Sequence, residues 1–190
     1  HEKSDKPHDP AAYTPEVMAS DAAAVLKDAG VEKAHVFGYS MGARNSAFLT
    51  IAHPEMVRSV IFGGLGIGMV EGVGDWDPIA DALSAPSIND VTHERGRMFR
   101  AFAEQTKSDR EALAACIRTS RKLVTREQAA AIDQPALIGV GTEDDIAGSA
   151  DELADLLPNG RAFHIEGRDH MLSVGDKTFK KAVLEFLGEQ

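Results

Sequence analysis

The chain has 190 residues, 43% of them hydrophobic and 26% charged, with a formal net charge of -10. That composition predicts one soluble domain with a real core, and no apolar run approaches the roughly 20 residues of a membrane helix. The acidic balance argues against nucleic acid and anionic membranes as partners, and the single cysteine, Cys116, excludes an internal disulfide and suits a reducing, cytoplasmic setting.

The opening HEKSDKPHDP is polar, has no apolar segment after it and is not a signal peptide. It does not start with Met and reads as the middle of a loop over residues 1–13. Thr14 then has the chemistry of an N-cap, with Pro15 at the first helical position. Val17, Met18, Ala22, Val25 and Leu26 recur at helical spacing up to a stop at Gly30. Residues 34–38 form a short apolar run, predicted as a buried strand. Residues 41–52 read as a buried helix ending before Pro54, and residues 57–62 as a second strand, followed by the glycine-rich GGLGIG.

The character changes near Glu71. Turn residues lead into a charged, helically patterned run over 92–131, a helical insertion. Pro135 introduces a third strand at 136–140. A helix over 149–157, a fourth strand at 162–165 and one amphipathic helix over 172–187 complete the chain. The predicted organisation is a first core part at 1–70, a helical cap at 71–133 and a second core part at 134–190. Strands alternating with helices predict an α/β fold with a mainly parallel sheet flanked by helices.

The chemistry centres on Gly38-Tyr39-Ser40-Met41-Gly42, in the stretch HVFGYSMG. A serine between a strand and a helix, at a tight turn, projects its hydroxyl from the end of the sheet. Gly38 and Gly42 have no side chains to hold neighbouring backbone apart. The following helix aims amide donors and its positive end at an oxyanion, and Met41 N–H is one such donor. Tyr39 and Trp76 are further candidates for contact with a substrate. A serine needs a base, and the base needs an orienting acid. ALIGVGTEDDIAG places Asp144 and Asp145 just after a strand, and FHIEGRDHMLSV places His170 in the loop after the last strand. Ser40, an Asp and His170 thus follow in the order Ser, acid, His, each after its own strand. An ordinary helix cap at Ser40, a turn-forming Asp and a solvated His are the bland alternatives, weakened by their common register.

Together GYSMG, GTEDD and GRDHM resemble the α/β-hydrolase superfamily, in the branch with small helical caps that includes bacterial esterases, enol-lactonases and cofactor-free haloperoxidases. HEKSDKP followed by YTPEVMASDAAAVL resembles the loop and helix that lead to the nucleophile in that family. The resemblance implies a triad of Ser40, Asp144 and His170. Asp144 is favoured over Asp145 because the family places its acid three residues after the loop glycine. It also implies a small-molecule ester or lactone substrate and no cofactor. The family's N-terminal strands, which carry the second oxyanion donor, have no counterpart in this sequence. That departure predicts an open sheet edge along residues 34–38, suited to a homodimer or a complementing N-terminal chain. It also leaves room for a rival reading, a non-catalytic small-ligand-binding protein on the same scaffold.

The remaining residues point elsewhere less strongly. His1, His8, His35, His53, His93 and His164 show no metal-ligand spacing, and the glycines at 63–74 fit no phosphate-binding motif. Met69, Met98, Phe99 and Phe102 are candidates for either an apolar pocket wall or for packing of the cap. The arginines between Arg95 and Arg126 read as a solvated helical face.

Overall fold

The computed structural model describes residues 4–190. His1, Glu2 and Lys3, which include one histidine considered above and the head of HEKSDKP, lie outside the described residues. The described residues divide into two compact units, Met18–Val73 with Leu123–Gln190, and residues 4–17 with Gly74–Lys122.

The first unit is built on a four-stranded parallel sheet in the order β1 (Ala34–Tyr39), β2 (Val57–Gly63), β3 (Ala136–Gly141) and β4 (Gly160–Ile165). Each strand sits near its predicted place and runs one or two residues longer. Parallel pairing sends all four C-terminal ends to one rim, so the loops after β1, β3 and β4 open on the same side. β3 is buried throughout and β2 at all but Arg58, which is what an uninterrupted apolar run codes for. β1 departs from the prediction of a buried strand. Its burial alternates, and Phe37 is 51% exposed, because among the described residues β1 pairs only with β2.

Helix α1 (Pro15–Asp28) starts as predicted, with the Thr14 hydroxyl accepting from Val17 N–H at 3.3 Å. Its buried face differs from the expected one in part. Ala19 and Ala23 are buried and Ala22 and Leu26 pack partly buried against the core, while Val17 and Val25 are exposed. Helix α2 (Met41–Ala52) occupies its predicted residues, with Ala43, Ala47, Phe48 and Leu49 in the core. Short α3 (Gly68–Glu71) follows β2.

The second unit contains α4 (Asp77–Ser84), α5 (Glu94–Gln105) and α6 (Arg110–Thr119). The solvated-face reading of its arginines fails at Arg100, which is 2% exposed. Its guanidinium donates to the carbonyls of Ala82, Leu83 and Ala85, and Arg110 donates to the last two of these. Cations at the C-terminal end of α4 satisfy carbonyls that the helix itself leaves open. Cys116 is buried in α6, as a small core residue.

After Lys122 the chain returns to the sheet unit with α7 (Arg126–Ala130), β3 and α8 (Ala150–Leu156), the last capped by Ser149. The single C-terminal helix predicted over 172–187 is two helices, α9 (His170–Ser173) and α10 (Lys177–Gly188). Asp176 is the reason for the break. Its carboxylate accepts from the amides of Thr178 and Phe179, which starts a new helix after Gly175 and leaves Val174 exposed. Among the described residues no helix is long and apolar enough to cross a membrane.

Candidate active site

The site grows from the turn between β1 and α2. Ser40 has φ 53 and ψ -111, a strained conformation for a residue with a Cβ. Its amide is tied to Gly63 O of β2 at 2.7 Å, so the turn is fixed to the sheet. The two flanking glycines do different work. A Cβ on Gly38 would lie 2.1 Å from Gly42 O and 2.5 Å from Ser46 Oγ, so only glycine fits there. A Cβ on Gly42 would meet nothing within 4 Å; its part in the close approach is its carbonyl, which also accepts from Ser46 Oγ. Met41 is the first residue of α2, so its amide belongs to the helix end beside Ser40.

His170, the first residue of α9, reaches this serine from just past the loop after β4. Its Nε2 lies 3.0 Å from Ser40 Oγ and its Nδ1 lies 2.8 Å from Asp144 Oδ2. The Asp144 side chain is 0% exposed and that of His170 is 13% exposed. Burial alone would raise the Asp144 carboxyl. Hydrogen bonds from His170 and from the amides of Ile146 and Ala147, at 2.9 and 3.0 Å to Oδ1, outweigh it and hold the group below the ordinary carboxylate range. Asp145 is exposed and makes no such bond to His170; the fold brings Asp144, not its neighbour, to the imidazole.

The loops that carry the acid and the histidine are tied to each other. Thr142 N–H donates to Ile165 O, Glu143 N–H to Arg168 O and Gly167 N–H to Thr142 Oγ1. A Cβ on Gly141 would lie 2.0 Å from Arg168 O, which accounts for glycine at the end of β3. Asp169 caps α9 by accepting from the amides of Met171 and Leu172, setting the direction in which His170 leaves the loop.

Tyr39, a candidate for substrate contact on sequence, lies against the histidine. Its hydroxyl donates to the backbone carbonyl of His170 at 2.5 Å, and its ring lies 5.5 Å from the imidazole. Gly63 and Gly64 make room for that ring: a Cβ on either would lie 2.7 or 2.5 Å from it. Burial, then the nearby Asp144 charge, pushes the Tyr39 hydroxyl up to about 12, so it remains a donor at neutral pH. The signal for this role was the adjacency of Tyr39 to Ser40 and the Gly-Gly pair after β2, which only the register of β1 on β2 turns into a contact.

Trp76 belongs to the other unit and is packed within it. It is 9% exposed, meets Phe99 edge-on at 5.8 Å, and has Arg121 and Arg95 over its ring at 3.6 and 5.2 Å. Met69 is a core residue at 1% exposure, whereas Met98 and Phe102 are exposed.

A strand–serine–helix turn, an imidazole and a buried carboxylate at one rim of a parallel sheet define the α/β-hydrolase fold, and this chain has that fold. Residues 1–87 match the family model described as alpha/beta hydrolase fold. Solved structures agree across almost the whole chain. A marine microorganism esterase is 23% identical with a TM-score of 0.70, covering 98% of this chain and 81% of its own. An enzyme that degrades N-acyl homoserine lactones, Est816, is 20% identical with a TM-score of 0.71, covering 96% and 77%. A hydrolase from Pseudomonas aeruginosa PA01 is 25% identical with a TM-score of 0.68, covering 93% and 72%.

Proposed function

We propose that the chain is a serine hydrolase that cleaves a carboxylic ester or lactone of a small molecule. The observation that carries this reading is the hydrogen-bonded series Ser40 Oγ, His170 Nε2, His170 Nδ1, Asp144 Oδ2, anchored behind by two backbone amides on Asp144 Oδ1. In this reading His170 Nε2 takes the proton as Ser40 Oγ attacks the carbonyl carbon. Asp144 holds the Nδ1–H tautomer and stabilises the imidazolium, without itself being protonated. The carbonyl electron pair moves to oxygen, where the Met41 amide at the head of α2 donates to the oxyanion. Collapse returns that pair, expels the alkoxide with the proton from His170, and leaves an acyl group on Ser40. Water then enters, gives its proton to His170, and releases the acid by the reverse of the same steps. A lactone follows the same course with its leaving hydroxyl still attached to the acyl group.

The esterase and the lactone-degrading enzyme among the similar structures support this substrate class. No cofactor or metal enters the proposed mechanism. The chemistry suits a cytoplasmic enzyme of diffusible substrates, and neither nucleic acid nor membrane is needed as a partner.

The test is an intact-mass spectrum with and without a serine-directed fluorophosphonate, followed by turnover of a panel of p-nitrophenyl esters and simple lactones. One adduct, on Ser40, with hydrolysis lost in Ser40→Ala and His170→Ala, is the expected result. Absence of both adduct and turnover, with small-ligand binding equal in wild type and Ser40→Ala, would favour a non-catalytic binding protein on this scaffold.

A further inference from the structure

Helix α2 carries a second polar side chain whose surroundings are unusual. Arg44, four residues after Ser40, is 1% exposed in the core of the sheet unit. Its guanidinium donates to Met69 O at 3.0 Å and to Gly68 O at 3.3 Å. Burial draws its pKa down to about 10, so the position works against the charged form rather than for it. The proposed chemistry has no use for a cation there, and a neutral apolar side chain would pack at less electrostatic cost.

What Arg44 holds is the backbone at residues 68–69, and the segment it closes, residues 66–68, in turn holds the acid loop. Gly66 N–H and Gly68 N–H both donate to Ala147 O, at 2.9 and 3.1 Å, and Ile67 N–H donates to Ser149 O at 2.8 Å. The two segments touch backbone to backbone. A Cβ on Gly66 would lie 2.4 Å from Ser149 O, and a Cβ on Gly148 would lie 2.8 Å from Gly68 N. The next atoms along are the amides of Ile146 and Ala147, which grip Asp144 Oδ1. Residues 142–149 contain no helix or strand of their own, so their shape comes from such outside contacts. Hydrogen bonds therefore run from α2, through residues 66–69 and 146–149, to Asp144, then through His170 back to Ser40 at the head of α2.

We propose that Arg44 is a positioning residue for the proposed reaction: by clamping residues 68–69 it fixes the amide cradle that aims Asp144 at His170. The proposal rests on the reading of Ser40, His170 and Asp144 as a hydrolytic centre. It predicts that loss of the guanidinium lets Asp144 shift relative to the imidazole while leaving substrate contacts in place. Misplacement of a supporting group by about 1 Å typically costs up to about 10²-fold in rate.

The experiment compares the full chain as wild type, Arg44→Met and Arg44→Lys by two readouts. The first is kcat and KM on the best ester of the panel. The second is the downfield proton resonance of His170 Nδ1–H in one-dimensional NMR, which reports the bond to Asp144 and needs no turnover. Expected for Arg44→Met is a fall in kcat of about 10²-fold, KM within about twofold, and a shifted or lost downfield resonance. Arg44→Lys, with an ammonium able to reach one carbonyl, should recover part of both. A folded Arg44→Met with wild-type kcat and an unchanged resonance overturns the proposal, as does a fall confined to KM. If Arg44→Met does not fold, Arg44→Gln, which keeps an amide donor, is read by the same criteria. If the wild type neither hydrolyses nor takes up the fluorophosphonate, the hydrolase reading fails by itself, and the resonance still decides whether Arg44 sets the Asp144–His170 bond. No downfield resonance in the wild type would overturn the positioning proposal directly.

Discussion

Ser40 concentrates the tension between stability and chemistry in a single residue. Its positive φ and its ψ of -111 are tolerable because Gly63 O, α2 and the sheet leave it no alternative. A strained non-glycine conformation of this kind costs on the order of 1–3 kcal/mol. Ser40→Gly should therefore abolish hydrolysis and raise Tm together, by about 2–4 °C for each ~1 kcal/mol of strain relieved; a thermal melt beside an ester assay checks both. Tyr39→Phe keeps the ring between the Gly63–Gly64 backbone and the imidazole but removes the bond to His170 O. A neutral hydrogen bond is worth about 1 kcal/mol, so kcat should fall by about 5–10-fold with KM little changed. Asp144→Asn should lower kcat by about 10⁴-fold, because an amide in that position favours the wrong imidazole tautomer; steady-state kinetics against wild type would show it.

Among the elements, α10 shows how a helix and a sheet specify each other. Gly63 of β2 is in register with Gly139 of β3, and the missing side chains open a slot over the sheet. Phe179 fills it: a Cβ on Gly139 would lie 2.1 Å from the Phe179 ring, which is 1% exposed. Phe163 stacks on the same ring at 6.2 Å and Phe37 meets it edge-on at 5.9 Å. Phe179→Ala should destabilise the protein by about 3–5 kcal/mol, measured by urea unfolding. Gly139→Ala should also destabilise, since the ring has nowhere to retreat within the slot. The amphipathic pattern over 172–187 predicts a helix with one inward face, but the glycines that receive Phe179 are far away in sequence. The break between α9 and α10 was equally hidden, because a single Asp cap competes with an apolar stripe that continues through it.

For the molecule as a whole, the depressed carboxyl of Asp144 links folding to acid. In the unfolded chain the group takes its proton near 3.8; in the folded state it holds out to lower pH. Its contribution to stability is thus complete above about pH 5 and is lost as pH falls through the folded value. Glu16, held down chiefly by its bond from Lys122, and Asp109, held down chiefly by the Ala112 amide, act in the same direction in the other unit. Denaturant unfolding between pH 6 and 3 should show stability falling with acid, and Asp144→Asn should make that slope shallower. A slope unchanged in the variant would mean that the carboxylate is not held as the geometry indicates.

The local alternation of apolar runs, caps and glycines sufficed for the parallel α/β plan, the position of each strand to within a residue or two, and α2 over its full length. It also marked Ser40, His170 and the pair Asp144 and Asp145 as candidates, because a strand end followed by a reactive side chain is a local pattern; the preference for Asp144 came from the family resemblance. What lay beyond it were relations between distant segments. Only the tertiary structure decided that the Tyr39 hydroxyl bonds the His170 carbonyl and that Trp76 is packed against Arg121 and Phe99. The same is true of Arg44, which looks on sequence like any surface arginine of a helix. Its burial against the carbonyls of residues 68–69 follows from how α2 packs, and packing depends on side chains that meet only after the chain has folded.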